Sequence, residues 1–139
     1  MVDADLFISF LTGDSLNPHF RPVVNESLEG ALELLASSEV YDDVISALRS
    51  QKVLLETIRE FIRDVRAIPH RSLPVTLDIA ATAVDLYLRY GGSRRLHYFD
   101  SFHVATCQLE RLPLLTSDKY ILANAGRFGI KAIDPRTVC

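Results

Sequence analysis

The sequence predicts an α/β domain, a three-layer sandwich in which a short central parallel sheet carries helices on both faces. Two observations predict it. Short apolar runs of strand length, at residues 1–3, 114–116 and 130–133, alternate with longer segments of helical period. Two of those runs end in or just before aspartate, at Asp3 and Asp118, the arrangement of an open sheet whose carboxyl edge carries the chemistry. At 139 residues, 48% of them hydrophobic, the chain suits a single domain spanning 1–139 with one sizeable core.

The elements follow in order. Met1 to Asp3 reads as the end of a strand, and Ala4 to Leu11 as a helix stopped by Thr12-Gly13-Asp14. Ser15 to Asn25, with Pro18 and Pro22, reads as loop. Glu26 to Leu35 places Leu28, Ala31, Leu32 and Leu35 at helical spacing. Ser37 or Ser38 then caps a helix running through Leu48. Lys52 to Ala67 is the clearest helix, with Val53, Leu54, Ile58, Phe61, Ile62 and Val65 as its apolar stripe. His70 to Thr76, holding Pro74, is an edge strand. Leu77 to Tyr90 is a helix closed by Gly91-Gly92, and Asp100 to Leu112 is another. Leu114 to Thr116 is a strand, Asp118 to Phe128 a helix, and Ile130 to Ile133 a last strand before Pro135.

Charge is distributed unevenly. The net charge is −3, which argues against a general nucleic-acid coat protein. Residues 1–50 hold nine acids against two bases, Arg21 and Arg49, while residues 51–139 hold nine acids against thirteen bases. The bases cluster as Lys52, Arg59, Arg63, Arg66 and Arg71, then Arg89, Arg94 and Arg95. Such groups either track a phosphate backbone or form a solvated helix face. No apolar run has the length of a membrane span and no signal peptide is read, so the expectation is a soluble cytoplasmic protein. Cys107 and Cys139 lie far apart without a C-x-x-C pair, which excludes a zinc knuckle and leaves a buried and a tail thiol.

The acids carry the candidate chemistry. Asp3 and Asp118 project from one edge of the sheet, and Asp100 opens a helix, where the macrodipole favours negative charge. Taken alone, Asp100 reads as a structural cap. A fourth acid comes from the Ser38 helix, where Glu39, Asp42 and Asp43 compete. With Val40, Tyr41, Val44 and Leu48 centring the buried stripe, Asp42 and Glu39 lie roughly 150° away, whereas Asp43 lies roughly 110° away. Asp43 therefore sits at the border of core and water and is preferred, with Asp42 next. Gathered carboxylates repel one another, and a divalent cation relieves that repulsion. Mg2+ suits the arrangement because it takes a few carboxylates and keeps waters, with Mn2+ as the alternative. His97 and His103 flank Asp100 and read as packing or surface residues.

Four segments together resemble the PIN-domain family, in particular the VapC-type toxins. Val2-Asp3-Ala4-Asp5-Leu6-Phe7-Ile8 resembles its strand-end aspartate followed by Asn or Asp and an apolar helix. Ser38 to Leu48 resembles its second motif, a serine followed five residues later by an acid. Tyr98 to Ala105 resembles the third, in which Asp opens a helix, and Leu115 to Tyr120 the fourth, Thr-x-Asp at a strand end. They come in the family's order and cover nearly the whole chain. The resemblance implies a PIN-like fold and a metal-dependent ribonuclease with Asp3, Asp43, Asp100 and Asp118 as catalytic metal ligands. Asp5 and Thr116 would hold those acids in place. It also implies an RNA substrate, a toxin–antitoxin role with an antitoxin partner, and a homodimer.

Two other readings stand beside it. Asp3-Ala4-Asp5 is also the D-x-D of haloacid-dehalogenase-like phosphatases, although the chain has no evident cap and no closing pair of acids. The other is a catalytically idle PIN-like binding module, which would have no reason to keep four acids.

Overall fold

The computed structural model describes residues 1–137, so Cys139 lies outside the described residues. Among the described residues seven α-helices are formed: α1 (Ala4–Thr12), α2 (Asn17–Leu28), α3 (Val40–Ser50), α4 (Leu55–Asp64), α5 (Leu77–Tyr90), α6 (Tyr98–Glu110) and α7 (Lys119–Asn124). Four short strands accompany them: β1 (Leu35–Ser37), β2 (Arg71–Leu73), β3 (Leu114–Leu115) and β4 (Ala132–Ile133).

The sheet is parallel and assembled around the first residues of the chain. β1 pairs with β2, Leu35 opposite Arg71, and β3 pairs with β4, Leu114 opposite Ala132. Val2 joins the two pairs: its N–H donates to the Leu35 carbonyl at 2.8 Å, and it bridges in parallel to Leu115. Asp3 follows at once, its N–H donating to the Leu115 carbonyl at 3.1 Å. The strand pleat separates two cores. Leu115 packs with Leu6, Phe7, Val24 and Val44 from α1, α2 and α3, while its neighbour Leu114 packs with Ala83, Val104 and Ile121 from α5, α6 and α7. Successive residues of one strand thus face different helical layers, which makes the sheet the middle of three. No helix among the described residues is long and apolar enough to cross a membrane.

Most elements lie where the sequence places them, with two corrections between residues 15 and 37. Ser15 to Asn25 is not loop; α2 occupies Asn17–Leu28 despite its prolines. Pro18 sits in the first turn, where a missing N–H costs no intrahelical bond. Pro22 lies inside the helix, at a cost of about 3 kcal/mol. Burial of Phe20, Val23 and Val24 offsets it, at about 1.5–3 kcal/mol each. Nor does a helix span Glu26–Leu35. Gly30, at φ +76°, turns the chain in the left-handed region. Ala31 N–H then bonds the Glu26 carbonyl and Gly30 N–H the Ser27 carbonyl, the paired closure of a helix end. Leu28 and Leu32 stay exposed, and Leu35 begins β1 instead.

Smaller adjustments follow from local chemistry. The Lys52 helix begins at Leu55 and tightens to a 3-10 turn over Val65–Ala67. Leu54 is consequently exposed, while Ile58 and Val65 are buried as the stripe requires. α5 spans Leu77–Tyr90 and ends at Gly91, where a Cβ would lie 2.4 Å from the Tyr87 carbonyl oxygen. α6 is buried nearly all round from Asp100 to Cys107. Burial pushes the Cys107 thiol up to about 12, in keeping with a packing residue.

Candidate metal centre

Four elements deliver acids to the carboxyl edge of the sheet. Asp3 leaves the sheet and caps α1, its Oδ1 accepting from Ala4 N–H at 2.6 Å. Asp43 lies in the first turn of α3 and Asp100 in the first turn of α6. Asp118 follows β3 and caps α7, its Oδ1 accepting from Ile121 N–H at 2.9 Å. A helix start offers free N–H groups and a partial positive charge, which explains how acids are held there at all.

The geometry divides these acids into two overlapping groups. Asp3, Asp43, Asp100 and His103 each turn a potential ligand atom inward, all within 4.8 Å of one another. Asp118 is not in that group; it meets Asp100 and His97, again within 4.8 Å. Asp100 therefore belongs to both. Asp42, the competitor on α3, stays exposed on the neighbouring face, and Glu39 is the residue just before the helix.

Thr116 connects the first and last acids. Its hydroxyl is fully buried, donates to Asp3 Oδ2 at 2.7 Å and accepts from Asp118 N–H at 3.1 Å. Asp5 is outside the cluster and fastens the chain beyond β3, its Oδ2 accepting from Ser117 N–H at 2.6 Å and Ser117 Oγ at 2.5 Å. Its Oδ1 is buried without a partner. Burial first, then the Asp3 charge, raises the Asp5 carboxyl above its usual range. An Asp5 so engaged is poorly placed as the acid–base partner that a D-x-D phosphatase needs.

His103 is the residue that sequence reasoning assigns to packing and the structure brings into the centre. It is wholly buried, with Nε2 2.8 Å from Asp43 Oδ2 and 3.7 Å from Asp3 Oδ1. Burial opposes its protonation, but the Asp43 hydrogen bond and the Asp3, Asp43 and Asp100 charges outweigh that and raise it to about 9. The available signal was its spacing. Three residues past Asp100, one helical turn on, it shares that acid's face of α6. His97 is exposed, its Nδ1 3.2 Å from Asp100 Oδ2.

Asp100 itself registers the crowding. Its carboxyl is raised far above the ordinary range, by burial first and then by Asp3, with Asp118 and Asp43 adding and His103 opposing. The donor set fits a divalent cation: carboxylate oxygens predominate, the buried imidazole nitrogen of His103 faces Asp43, and that single imidazolium offsets only part of the repulsion among Asp3, Asp43, Asp100 and Asp118.

A parallel sheet sandwiched by helices, with buried and half-buried carboxylates converging at its carboxyl edge, defines an α/β domain whose acidic cluster could hold a cation. The family model of the PIN domain matches residues 1–127, and the chain belongs to the PIN-domain family. PIN domains are typically nucleases and generally use a divalent metal. Among solved structures, the chain is similar to a toxin–antitoxin complex from Klebsiella pneumoniae, with a TM-score of 0.62 at 20% identity, covering 96% of this chain and 95% of that one. That likeness supports the fold. No curated protein matches the chain.

Proposed function

We propose that this protein is a metal-dependent endoribonuclease and the toxin of a toxin–antitoxin pair, working in the cytoplasm. The observation that carries the proposal is the convergence of Asp3, Asp43 and Asp100 within 4.8 Å, with Asp118 joined through Asp100. These four would hold Mg2+, or Mn2+ in its place. When bound there, a cation would supply charge to stabilise the phosphate and the leaving oxygen and would lower the pKa of a water.

The chain's own contribution is to fix the acids before the cation arrives. Thr116 and the Ala4 N–H hold both oxygens of Asp3, and His103 holds one oxygen of Asp43. Asp5 anchors the turn at Ser117 that leads into Asp118. Preorganised acids lose little freedom on binding metal and phosphate, which favours the bound geometry.

Two features support partners. The similar structure is a toxin–antitoxin complex, which favours an antitoxin partner here. The outer face of α5 exposes Leu77, Val84 and Leu88 in register along one stripe, and such a face suits a homodimer. The Lys52 helix buries its stripe within the domain and is a poorer candidate.

Cleavage of a labelled single-stranded RNA with Mg2+, with EDTA and with Asp100→Asn tests the reading. Cutting that needs Mg2+ and vanishes in the variant is the expected result. Mn2+ binding at the cluster without cleavage of any RNA would favour the idle binding module.

A further inference from the structure

We infer that the cavity between the outer face of α3 and Phe99 is a subsite for an RNA base bearing an exocyclic amino group, which the chain uses to choose where it cuts. The inference rests on the ribonuclease reading. Asp42, Ile45, Ser46, Arg49 and Ser50 recur at helical spacing along one face of α3, and Phe99 of α6 completes the wall of a cavity of about 360 Å3. The cavity adjoins the cluster covalently on both sides. Asp42 precedes Asp43, and Phe99 precedes Asp100.

Its chemistry is that of base recognition rather than of a core. Phe99 is half-buried and lines the cavity with an aromatic ring, the kind of side chain on which an unstacked base settles. Arg49 and Asp42 are exposed, and neither has an ion-pair partner among the described residues. A guanidinium takes the phosphate flanking the base, and it is one of only two bases in the acidic first fifty residues. A carboxylate only accepts hydrogen bonds, so Asp42 favours a base edge that carries an amino donor. Uracil presents two carbonyl oxygens flanking a single N–H on that edge and is disfavoured. Asp42 thus lies beside the metal ligands without being one of them.

The test measures binding of labelled twelve-nucleotide A, C and U oligomers in the Asp100→Asn background with Mg2+ present. Adding Phe99→Ala is expected to weaken binding roughly five- to a hundred-fold, the range seen when one base loses its aromatic platform. Arg49→Ala, on the exposed face where folding is not at stake, should weaken all three oligomers. Asp42→Ala should erase a preference for A and C over U. Mn2+ binding measured on the same substitutions, with Asp100 intact, should not change. Unchanged RNA binding in both Phe99→Ala and Arg49→Ala, in a protein whose parent cuts RNA, overturns the subsite and leaves the nuclease. A parent that neither binds nor cuts any RNA defeats the nuclease reading, and the subsite with it.

Discussion

His103 Nε2 lies 2.8 Å from Asp43 Oδ2, tying the core of α6 to the first turn of α3. Its Nδ1 is buried without a partner. With its pKa raised to about 9 the ring carries a proton on each nitrogen, and the Nε2–H is the one that finds an acceptor, in Asp43 Oδ2. With that proton directed at Asp43, His103 is a positioning residue rather than a metal ligand.

Replacing it separates the two roles. His103→Leu should keep the fold but release Asp43, with Mn2+ affinity falling roughly 10- to 100-fold, the usual cost of losing a partner behind a metal ligand. His103→Gln, which can still offer an N–H, should recover part of the loss. Titration of Mn2+ against each variant, followed by the free-ion signal, reads this directly. Wild-type affinity in the leucine variant would show that Asp43 needs no such support.

The crowding at Asp100 predicts a pH dependence whose sign can be worked out. Its folded pKa is raised, by burial and then by Asp3, so the metal-free fold binds the proton more tightly than the unfolded chain. That contribution to stability is complete below the ordinary carboxylate pKa and is lost as pH rises towards the folded value. Asp100→Asn removes the term. The variant should melt higher than the wild type in EDTA, by at least ~3 °C near pH 8, with the difference shrinking towards pH 5. Added Mg2+ should reverse the order if, as proposed, Asp100 is one of the ligands, since only the wild type keeps all four acids. Calorimetry at two pH values with and without metal decides it; an equal difference at both would exclude a charge origin.

Much of this is legible in the sequence because the features that mark it are local. Asp43 is separable from Asp42 by its angle to the buried stripe, and the structure brings Asp43 beside Asp3 and Asp100 while Asp42 stays exposed and outside the cluster. The bounds of α5 followed from its period and from Gly91. What was not legible depended on contacts across the chain. The two prolines of α2 argue locally for loop, and only burial of Phe20 and Val24 against α1 and its neighbours reverses that. Likewise His103 looks like a core residue within α6; its role lies in a partner sixty positions earlier.

Thr116 predicts a coupled loss. Its one hydroxyl serves both Asp3 and the backbone of Asp118. Thr116→Val keeps the shape but leaves a buried carboxylate oxygen and an N–H unpaired, costing about 1–3 kcal/mol. Thermal melting should fall accordingly, and Mn2+ affinity should fall with it, because two acids loosen together. A fall in melting temperature with unchanged affinity would confine Thr116 to packing.

Asp5 offers the opposite expectation. Its Oδ2 takes both Ser117 donors, while its Oδ1 is buried without a partner and its carboxyl is held above the usual range by burial and by Asp3. An asparagine can keep the carbonyl oxygen towards Ser117 while carrying no charge into the Asp3 field. Because the raised pKa means stability lost as pH climbs, removing that charge should help most at neutral pH and above. Asp5→Asn is therefore expected to melt at or above the wild-type temperature at pH 7.5 in EDTA and to retain cleavage. Asp5→Ala, which drops both Ser117 bonds, should melt lower and lose activity as the turn into Asp118 relaxes. If the asparagine variant instead melted well below the wild type, the charge on Asp5 would be a requirement of the fold rather than a burden on it.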